Sequence, residues 1–242
     1  MKALVSILIL GAASLSLTAE ISDSPVVHEA AHPDAYRLKR GQFDYRDSNH
    51  GKQLGTSIIT ITKNLDNGNF NFAMESRGYN EQRWEAVATP YLAPLSAKLS
   101  FGKPSSSPPY FDLVYTPGRV AGLRSRSRSD TAPQSSFEAF IAAGTVDQRI
   151  DWATVLASDL RSGRKFQFSV YDPSLGTSPV IAEVGPIEQI SVPAGSFRVF
   201  KIQYRVQKTT GPEEYTVFAT QSLPRVMVRE DFPDGTVSEL IR

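Results

Sequence analysis

Hydrophobic and polar positions alternate along most of the chain with a period of two. The clearest examples are Phe70, Phe72 and Met74, and then Phe200, Ile202, Tyr204 and Val206. Such alternation is typical of β-strands that bury one face and expose the other, which is the usual state of antiparallel sheets. Roughly a dozen runs of this kind, spaced as in sandwiches and barrels, predict a mainly β protein.

The sequences between these runs indicate how the strands are connected. Asn67-Gly68 suits a tight hairpin with positive φ, and residues 192–195 and 232–235 each place a proline at the second position of a turn. Strands that are joined by so few residues run antiparallel to each other. We therefore expect a large antiparallel sheet that is built from consecutive hairpins.

Two stretches depart from the alternation. In residues 151–160, Trp152, Val155, Leu156 and Leu160 fall on one face of a helix. Residues 136–143 fit a short helical turn. One helix among many strands predicts a sheet that curves around the helix, as a half-barrel or open barrel.

The chain begins with the layout of a secretory signal peptide. Lys2 supplies a positive start, residues 3–13 are almost entirely apolar, and residues 14–19 end in small side chains. The apolar run is too short to cross a bilayer as a permanent helix. We expect residues 1–19 to be a signal peptide that is cleaved after Ala19.

The remaining chain is expected to hold an N-terminal segment over residues 20–40 and a single β-rich domain over residues 41–242. A loop near residues 124–136 joins the two halves of this domain. The sequence contains no cysteine, which excludes disulfides, thiolate chemistry and a lipid anchor on a cysteine. No later run has the length of a transmembrane helix, so we predict a periplasmic or secreted protein.

The charge of the chain is balanced. Its 242 residues include 26 Lys and Arg against 25 Asp and Glu, and removal of Lys2 with the signal peptide leaves 25 of each. A neutral chain has no overall field to attract nucleic acid or an anionic membrane surface. Neither is expected as a partner, and the sequence predicts no cofactor.

The C-terminal part of the chain carries an ordered set of motifs. Residues 190–197 read ISVPAGSF, residues 222–228 read SLPRVMV, and Asp234-Gly235 follows as a final hairpin turn. In this order they resemble the bacterial secreted proteins of domain-of-unknown-function family 3108, most clearly over residues 147–242. The resemblance implies a large curved antiparallel sheet with one or two short helices on its concave side, similar to periplasmic carriers of lipoproteins and lipids. It implies no chemistry, because the family has no established activity.

His28, Glu29 and His32 form an H-E-x-x-H sequence. On a helix, the two imidazoles would face Zn²⁺ together, and Glu29 would act as general base on the bound water. However, Pro33 stops a helix directly after His32. An exposed N-terminal helix with solvated histidines is the plainer interpretation, and a zinc hydrolase is kept as the less favoured hypothesis.

Three arginines, Arg124, Arg126 and Arg128, are spaced by two. In an extended strand their guanidinium groups would point to one side and form a rim that binds a phosphate or carboxylate. Because the intervening residues are serines, a solvated loop is the plainer interpretation.

Two acidic pairs are further candidates for acid–base chemistry. Glu213 with Glu214, and Asp231 with Asp234, fall at predicted hairpin tips. Solvation at such tips keeps the pKa of a carboxyl group at its ordinary value, and we expect no pocket for acid–base chemistry there.

Bulky aromatic residues are distributed over the predicted strands. On the concave face of a curved sheet they can line an apolar cavity, although a closely packed core would use the same residues. The candidates for a ligand cavity are Phe70, Phe72, Trp84, Phe111, Phe168, Phe200, Tyr204 and Phe218.

The leading hypothesis is a non-enzymatic exported envelope protein that binds or carries an apolar or amphipathic ligand. An envelope scaffold or assembly protein that acts by protein–protein contact is the alternative.

Overall fold

The backbone is mainly β in the computed structural model, which describes residues 29–78, 81–102, 109–127, 133–209 and 211–242. The strands are β1 (Glu29–Ala30), β2 (Gly41–Asn49), β3 (Lys52–Lys63), β4 (Phe70–Arg77), β5 (Gln82–Ala88), β6 (Pro94–Phe101), β7 (Phe111–Thr116), β8 (Arg119–Ser125), β9 (Gln134–Phe140), β10 (Val146–Asp147), β11 (Lys165–Asp172), β12 (Gly176–Val192), β13 (Gly195–Lys208), β14 (Gly211–Thr220), β15 (Met227–Asp231) and β16 (Thr236–Leu240). Two 3-10 helices span Ala35–Arg37 and Gln148–Ile150, and helix α1 spans Asp151–Leu156.

These sixteen strands form one sheet, in the order β1-β11-β12-β13-β14-β15-β16-β2-β3-β4-β5-β6-β7-β8-β9, with β10 also pairing with β11. Neighbours are antiparallel except for β1 and β10, which run parallel to β11. The C-terminal β16 pairs with β2, where Leu240 lies opposite Tyr45, so both halves of the chain form one surface. Within the described residues β9 and β1 are the two ends and do not pair with each other, so the sheet is open. The predicted fold class is confirmed.

The sheet curves around α1. Trp152 of α1 packs edge-to-face on Phe72 of β4, with ring centroids 6.4 Å apart, and its carbonyl accepts a 3.2 Å hydrogen bond from Tyr204 of β13. Between β13 and β4 there are six strand spacings, or about 29 Å along a flat sheet. One side chain and its backbone can touch both strands only if the sheet is strongly curved. All six residues of α1 are buried on this concave face.

The three predicted hairpin turns are confirmed. Gly68 has a φ of 75° between β3 and β4, and Gly235 has a φ of 82° between β15 and β16. This left-handed conformation favours glycine because a Cβ would clash there. Between β12 and β13, only Pro193 and Ala194 connect the strands.

Helix α1 is shorter than the prediction over residues 151–160. The guanidinium of Arg225 donates hydrogen bonds of 2.6 and 2.7 Å to the carbonyls of Leu156 and Ser158. These bonds satisfy carbonyl groups that the end of a helix leaves free. Leu160 is buried although it lies beyond the helix.

In the described ranges, no helix has the length and apolar content needed to cross a membrane.

The prediction of a helical turn over residues 136–143 is wrong. β9 occupies most of this stretch and pairs antiparallel with β8, with Ser125 opposite Gln134. A short run has little helical stability of its own, so the hydrogen bonds of the sheet decide its conformation. The loop expected near residues 124–136 is therefore narrower than predicted, and residues 128–132 lie outside the described residues.

Candidate functional site

A cavity of about 820 Å³ lies on the concave face of the sheet beside α1. Along β4, Phe72 packs against Trp152, whereas Met74, the next residue on the same face, lines the cavity. β5 repeats this division, with Ala86 opposite Phe72 and Trp84 opposite Met74. Helix α1 therefore fills one end of the concave face and leaves the other end as the cavity.

The apolar wall of the cavity is a row of side chains in direct register. Trp84 on β5 lies opposite Leu99 on β6, which in turn lies opposite Phe111 on β7. Phe101, two residues beyond Leu99, extends this wall. The guanidinium of Arg149 stacks over Phe111, 4.7 Å from the ring centroid. A continuous apolar surface of this kind suits the hydrocarbon part of a ligand.

Arg149 is a buried cation whose charge is neutralised inside the protein. Its Nε lies 2.5 Å from Oδ1 of Asp147, and its Nη1 lies 2.6 Å from Oδ2 of Asp172. The hydroxyl of Tyr115 donates a 2.6 Å hydrogen bond to the other oxygen of Asp147. Buried charges keep such partners because an unpaired charge away from water is costly.

A second row of cavity residues is polar. Glu230 on β15, Ser238 on β16 and Asp47 on β2 lie in register across three neighbouring strands. The carboxylate of Asp47 accepts hydrogen bonds of 2.5 Å from Ser57 and 2.7 Å from Ser238. At two strand spacings, the backbones of Glu230 and Asp47 are about 10 Å apart.

Asp151, the first residue of α1, also lines the cavity. Its carboxylate accepts a 2.7 Å hydrogen bond from the hydroxyl of Tyr215 and a 2.6 Å bond from the backbone N–H of Trp152. Burial raises the pKa of Asp151 to about 6, against the lowering effect of these hydrogen bonds. The ring of Tyr215 stacks on Tyr204, with centroids 4.6 Å apart, and this contact orients the hydroxyl.

Glu230 is partly buried and, within the described residues, has no hydrogen-bonded or ion-paired side chain. Burial raises the pKa of this carboxyl to about 8, and the carboxyls of Asp151 and Asp47 add to the rise. Glu230 therefore holds a proton through much of the neutral range.

Two of the eight aromatic residues predicted for a ligand cavity, Trp84 and Phe111, stand in its wall. Phe72 lies on the same face but is covered by α1. Phe70, next to it on that face, is covered by Tyr36, with ring centroids 5.4 Å apart. The helix and the N-terminal 3-10 segment thus convert these two phenylalanines into core residues.

The other four aromatic candidates lie away from the main cavity. Tyr204 borders a smaller depression of about 440 Å³. Phe200 is buried in the core, and the partly buried Phe168 packs against this core. Phe218 lies on the outer face of β14, where the guanidinium of Arg229 is 5.6 Å from its ring centroid. A ring reaches the cavity only if it lies on the concave face of its strand and is not covered by a helix. Its aromatic character does not decide this.

The structure does not form the helix expected around the H-E-x-x-H sequence, of which His28 lies outside the described residues. Glu29 belongs to β1, and His32 follows in irregular backbone. Arg164 Nε donates a 2.8 Å hydrogen bond to the Glu29 carboxylate and holds the pKa of this group below its ordinary value. Across the described ranges, no group of three or more His, Asp or Glu side chains is placed to hold a metal ion.

Arg124 is engaged within the protein. Its guanidinium donates to the carbonyl of Pro173 and lies 6.0 Å from the ring centroid of Phe137. Arg126 follows β8 and is exposed, and Arg128 lies outside the described residues. A shared anion rim for the three arginines stays a prediction.

Sequence reasoning missed the polar row of the cavity. Asp47 lies two residues after the buried Tyr45, and Glu230 lies two residues after the buried Val228. Both acids thus occupy inward positions of alternating strands, where a carboxyl group is unusual. An acidic residue at a position where the alternation predicts an apolar one is the sequence signal that identifies them.

Two acids that were predicted to be solvated at hairpin tips also line the cavity. Glu213 is the third residue of β14, and Asp234 lies in the turn between β15 and β16. The expectation that no pocket forms at these tips is wrong for both residues. The degree of curvature of the sheet, which the sequence does not specify, brings the two tips to the edge of the cavity.

Comparisons with known proteins support the fold. No protein-family model matches the chain, and no curated protein matches it significantly. Among solved structures, it is similar to a β-barrel-like protein of domain of unknown function DUF1849 from Brucella abortus, with a TM-score of 0.57 and 10% identity over 86% of this chain and 98% of that chain. At this identity the likeness shows the fold alone, and it does not confirm family 3108.

Two other solved structures match with lower TM-scores. One is a protein assigned as exported, with a YmcC-like fold, from Bacteroides fragilis, with a TM-score of 0.37 and 10% identity over 87% of this chain and 98% of that one. The other is assigned as a lipoprotein from Parabacteroides distasonis, with a TM-score of 0.34 and 8% identity over 87% and 98% of the two chains. At such TM-scores neither structure carries an argument about this chain.

Proposed function

We propose that this chain is an exported envelope protein that holds an apolar or amphipathic ligand in the cavity of its curved sheet, without catalysis. The observation that carries the proposal is the cavity of about 820 Å³ with its apolar wall. Ligand sites commonly have this size and are lined mainly by apolar side chains with a few polar groups. The predicted signal peptide over residues 1–19 supports a periplasmic or secreted location. The motifs at residues 190–197 and 222–228 support membership of family 3108.

The edge of the cavity supports entry of a ligand from solvent. Leu175 and Phe232 line this edge, and each is 39% exposed. Inside, the carboxylates of Asp47 and Asp151 are each occupied by two hydrogen bonds from the protein. Such occupied carboxylates favour holding a ligand over attacking one.

Native mass spectrometry of the protein purified from its producing cells tests the proposal. We expect one small molecule per chain, and we expect organic solvent to release it. The neutral probe N-phenyl-1-naphthylamine, which becomes fluorescent in apolar surroundings, should bind the emptied protein with a stoichiometry of one. A protein that releases no molecule and takes up no probe would contradict the proposal.

A matched pair of variants tests whether the probe binds in the cavity. Leu99→Trp adds bulk to the apolar wall and should abolish probe binding. Lys98→Trp adds the same bulk to the neighbouring residue of β6, whose side chain is 49% exposed on the opposite face, and should leave binding unchanged. Equal binding by both variants would place the probe outside the cavity.

An envelope scaffold is the second candidate, and the edge of the sheet favours it. Within the described residues β9 pairs on one side only, with β8, and Phe140 at its end is 85% exposed. A free strand edge can accept a strand from another protein. A photo-crosslinker at Glu138 tests this candidate. Stoichiometric capture of one protein there, absent with the crosslinker at Glu85 on the outer face of β5, would favour the scaffold.

A further inference from the structure

The main cavity carries an excess of negative charge. Its lining includes six acids, Asp47, Asp151, Asp172, Glu213, Glu230 and Asp234. Only two cationic side chains accompany them in the lining, and protein carboxylates already pair with both. Arg149 binds Asp147 and Asp172, as described above. Arg77 pairs with Glu75 at 2.8 Å.

Asp172 and Glu213 form ion pairs, and Asp234 is exposed in its turn. The other three of the six acids have no cationic partner in the part of the chain that the structure describes. These are Asp47, Asp151 and Glu230, of which the first two are bonded only to hydroxyl and backbone N–H groups. Carboxylates that share a confined space repel each other and attract a cation. A ligand that carries a carboxylate or phosphate would add to this repulsion.

The apolar wall stands in the same cavity as these acids. Trp84 offers an aromatic ring that attracts a cation as well as hydrocarbon surface. Leu99 offers hydrocarbon surface alone, as does Phe111, whose ring already carries the guanidinium of Arg149. Aromatic faces combined with carboxylates form a recurrent environment for organic ammonium and guanidinium groups, because both contacts favour positive charge.

We propose that the cavity takes an apolar molecule that carries one cationic nitrogen. The nitrogen lies beside Glu230 and Asp47, and the apolar part lies against Trp84 and Phe111. This inference rests on the proposed function, because it names the ligand class of the same cavity.

The surroundings of Glu230 couple the binding of a cationic ligand to the ionisation of this carboxyl group. The groups that act on it electrostatically are Asp47 on β2, Asp151 on α1, Asp231 on its own strand, and the tyrosines Tyr45, Tyr204 and Tyr215. None of these groups is a cation. Burial and the nearby acids hold the pKa of Glu230 at about 8, and an arriving cation lowers it again. Binding of a cationic ligand near neutral pH therefore releases a proton.

Three probes of equal chain length test the charge of the ligand. n-Decylamine, n-decanol and n-decanoate are titrated calorimetrically at pH 7 into the protein without its signal peptide. Charge-assisted hydrogen bonds predict that decylamine binds about tenfold tighter than decanol and that decanoate binds more weakly than both. If decanol or decanoate binds as tightly as decylamine, the charge assignment is wrong and the proposed ligand function stands. If none of the three binds, both are wrong.

Substitution of one acid locates the nitrogen. Glu230→Gln removes the carboxyl group that ionises beside the arriving nitrogen, and it should weaken decylamine binding about tenfold while leaving decanol binding within about twofold. Glu85→Gln, at an exposed position of β5, is the matched control and should bind like the unaltered protein. Titration in two buffers of different ionisation enthalpy should show a proton released on decylamine binding by the unaltered protein and none by Glu230→Gln. Equal affinities, or equal proton release, in the unaltered protein and Glu230→Gln would overturn the placement.

Discussion

The hydroxyl of Tyr215, on β14, donates a 2.7 Å hydrogen bond to the carboxylate of Asp151, the first residue of α1. The same tyrosine lines the cavity and stacks on Tyr204, whose hydroxyl holds the carbonyl of Trp152. Two tyrosines on adjacent strands thus attach the start of the helix to the sheet. The position of α1 on the concave face, and with it the length of the cavity, depends on this attachment.

We expect Tyr215→Phe to lower the free energy of unfolding by about 1–2 kcal/mol, because the buried Asp151 loses a hydrogen-bond donor. The pKa of Asp151 should rise above its present value of about 6, since this hydrogen bond lowers it. Urea unfolding at pH 7 measures the first effect. Tyr91→Phe is the control, because Tyr91 is 76% exposed, and it should leave stability unchanged. Equal stability of the two variants would show that the attachment is unimportant.

Arg225 secures the other end of α1. Its side chain is buried and donates to two carbonyls of the helix end, and burial lowers its pKa to about 10. We expect Arg225→Met to cost about 3 kcal/mol, because both carbonyls lose their donor in a buried place. Thermal unfolding measures the loss. Arg205→Met removes an arginine that is 62% exposed and should cost less than about 1 kcal/mol, although it breaks the ion pair with Glu214.

The strands and hairpins could be predicted because their signals are local. Alternation with a period of two and turn residues such as Gly68 and Gly235 lie within a few residues of one another. The acidic row of the cavity could not be predicted as a unit, because Asp47 and Glu230 meet only through the pairing of β16 with β2. The contact of α1 with Phe72 could not be predicted either, because it depends on how strongly the sheet curves to bring β4 to the helix.

Gly122 is a position where two backbones approach too closely for any side chain. A Cβ there would lie 2.0 Å from the carbonyl oxygen of Asp112. Gly122→Ala should therefore force β7 and β8 apart and lower the free energy of unfolding by about 3 kcal/mol. Gly185→Ala is the control, since its nearest contact would be 3.0 Å, and it should cost clearly less in the same urea titration. A smaller loss at Gly122 than at Gly185 would contradict this account of β7 and β8.

Glu230 makes the stability of the protein depend on pH. Its carboxyl has a pKa of about 8 in the folded protein against 4.5 for the ordinary group, so between these values the folded state holds a proton that the unfolded state has lost. Stability conferred by this proton is present at low pH and is lost as the pH rises toward 8. For one group with these pKa values, the loss between pH 6 and pH 8 is about 2 kcal/mol.

Glu230→Gln keeps the position neutral at every pH and should remove this loss. The free energy of unfolding in urea, measured at pH 6, 7 and 8, should thus diverge between the variant and the unaltered protein, with the variant more stable by a margin that grows toward pH 8. Asp151, with a pKa of about 6, contributes mainly below this window and does so in both proteins. Glu85→Gln should follow the unaltered protein, because its side chain is 49% exposed on the outer face. Parallel pH profiles for the variant and the unaltered protein would mean that Glu230 is already ionised throughout this pH range.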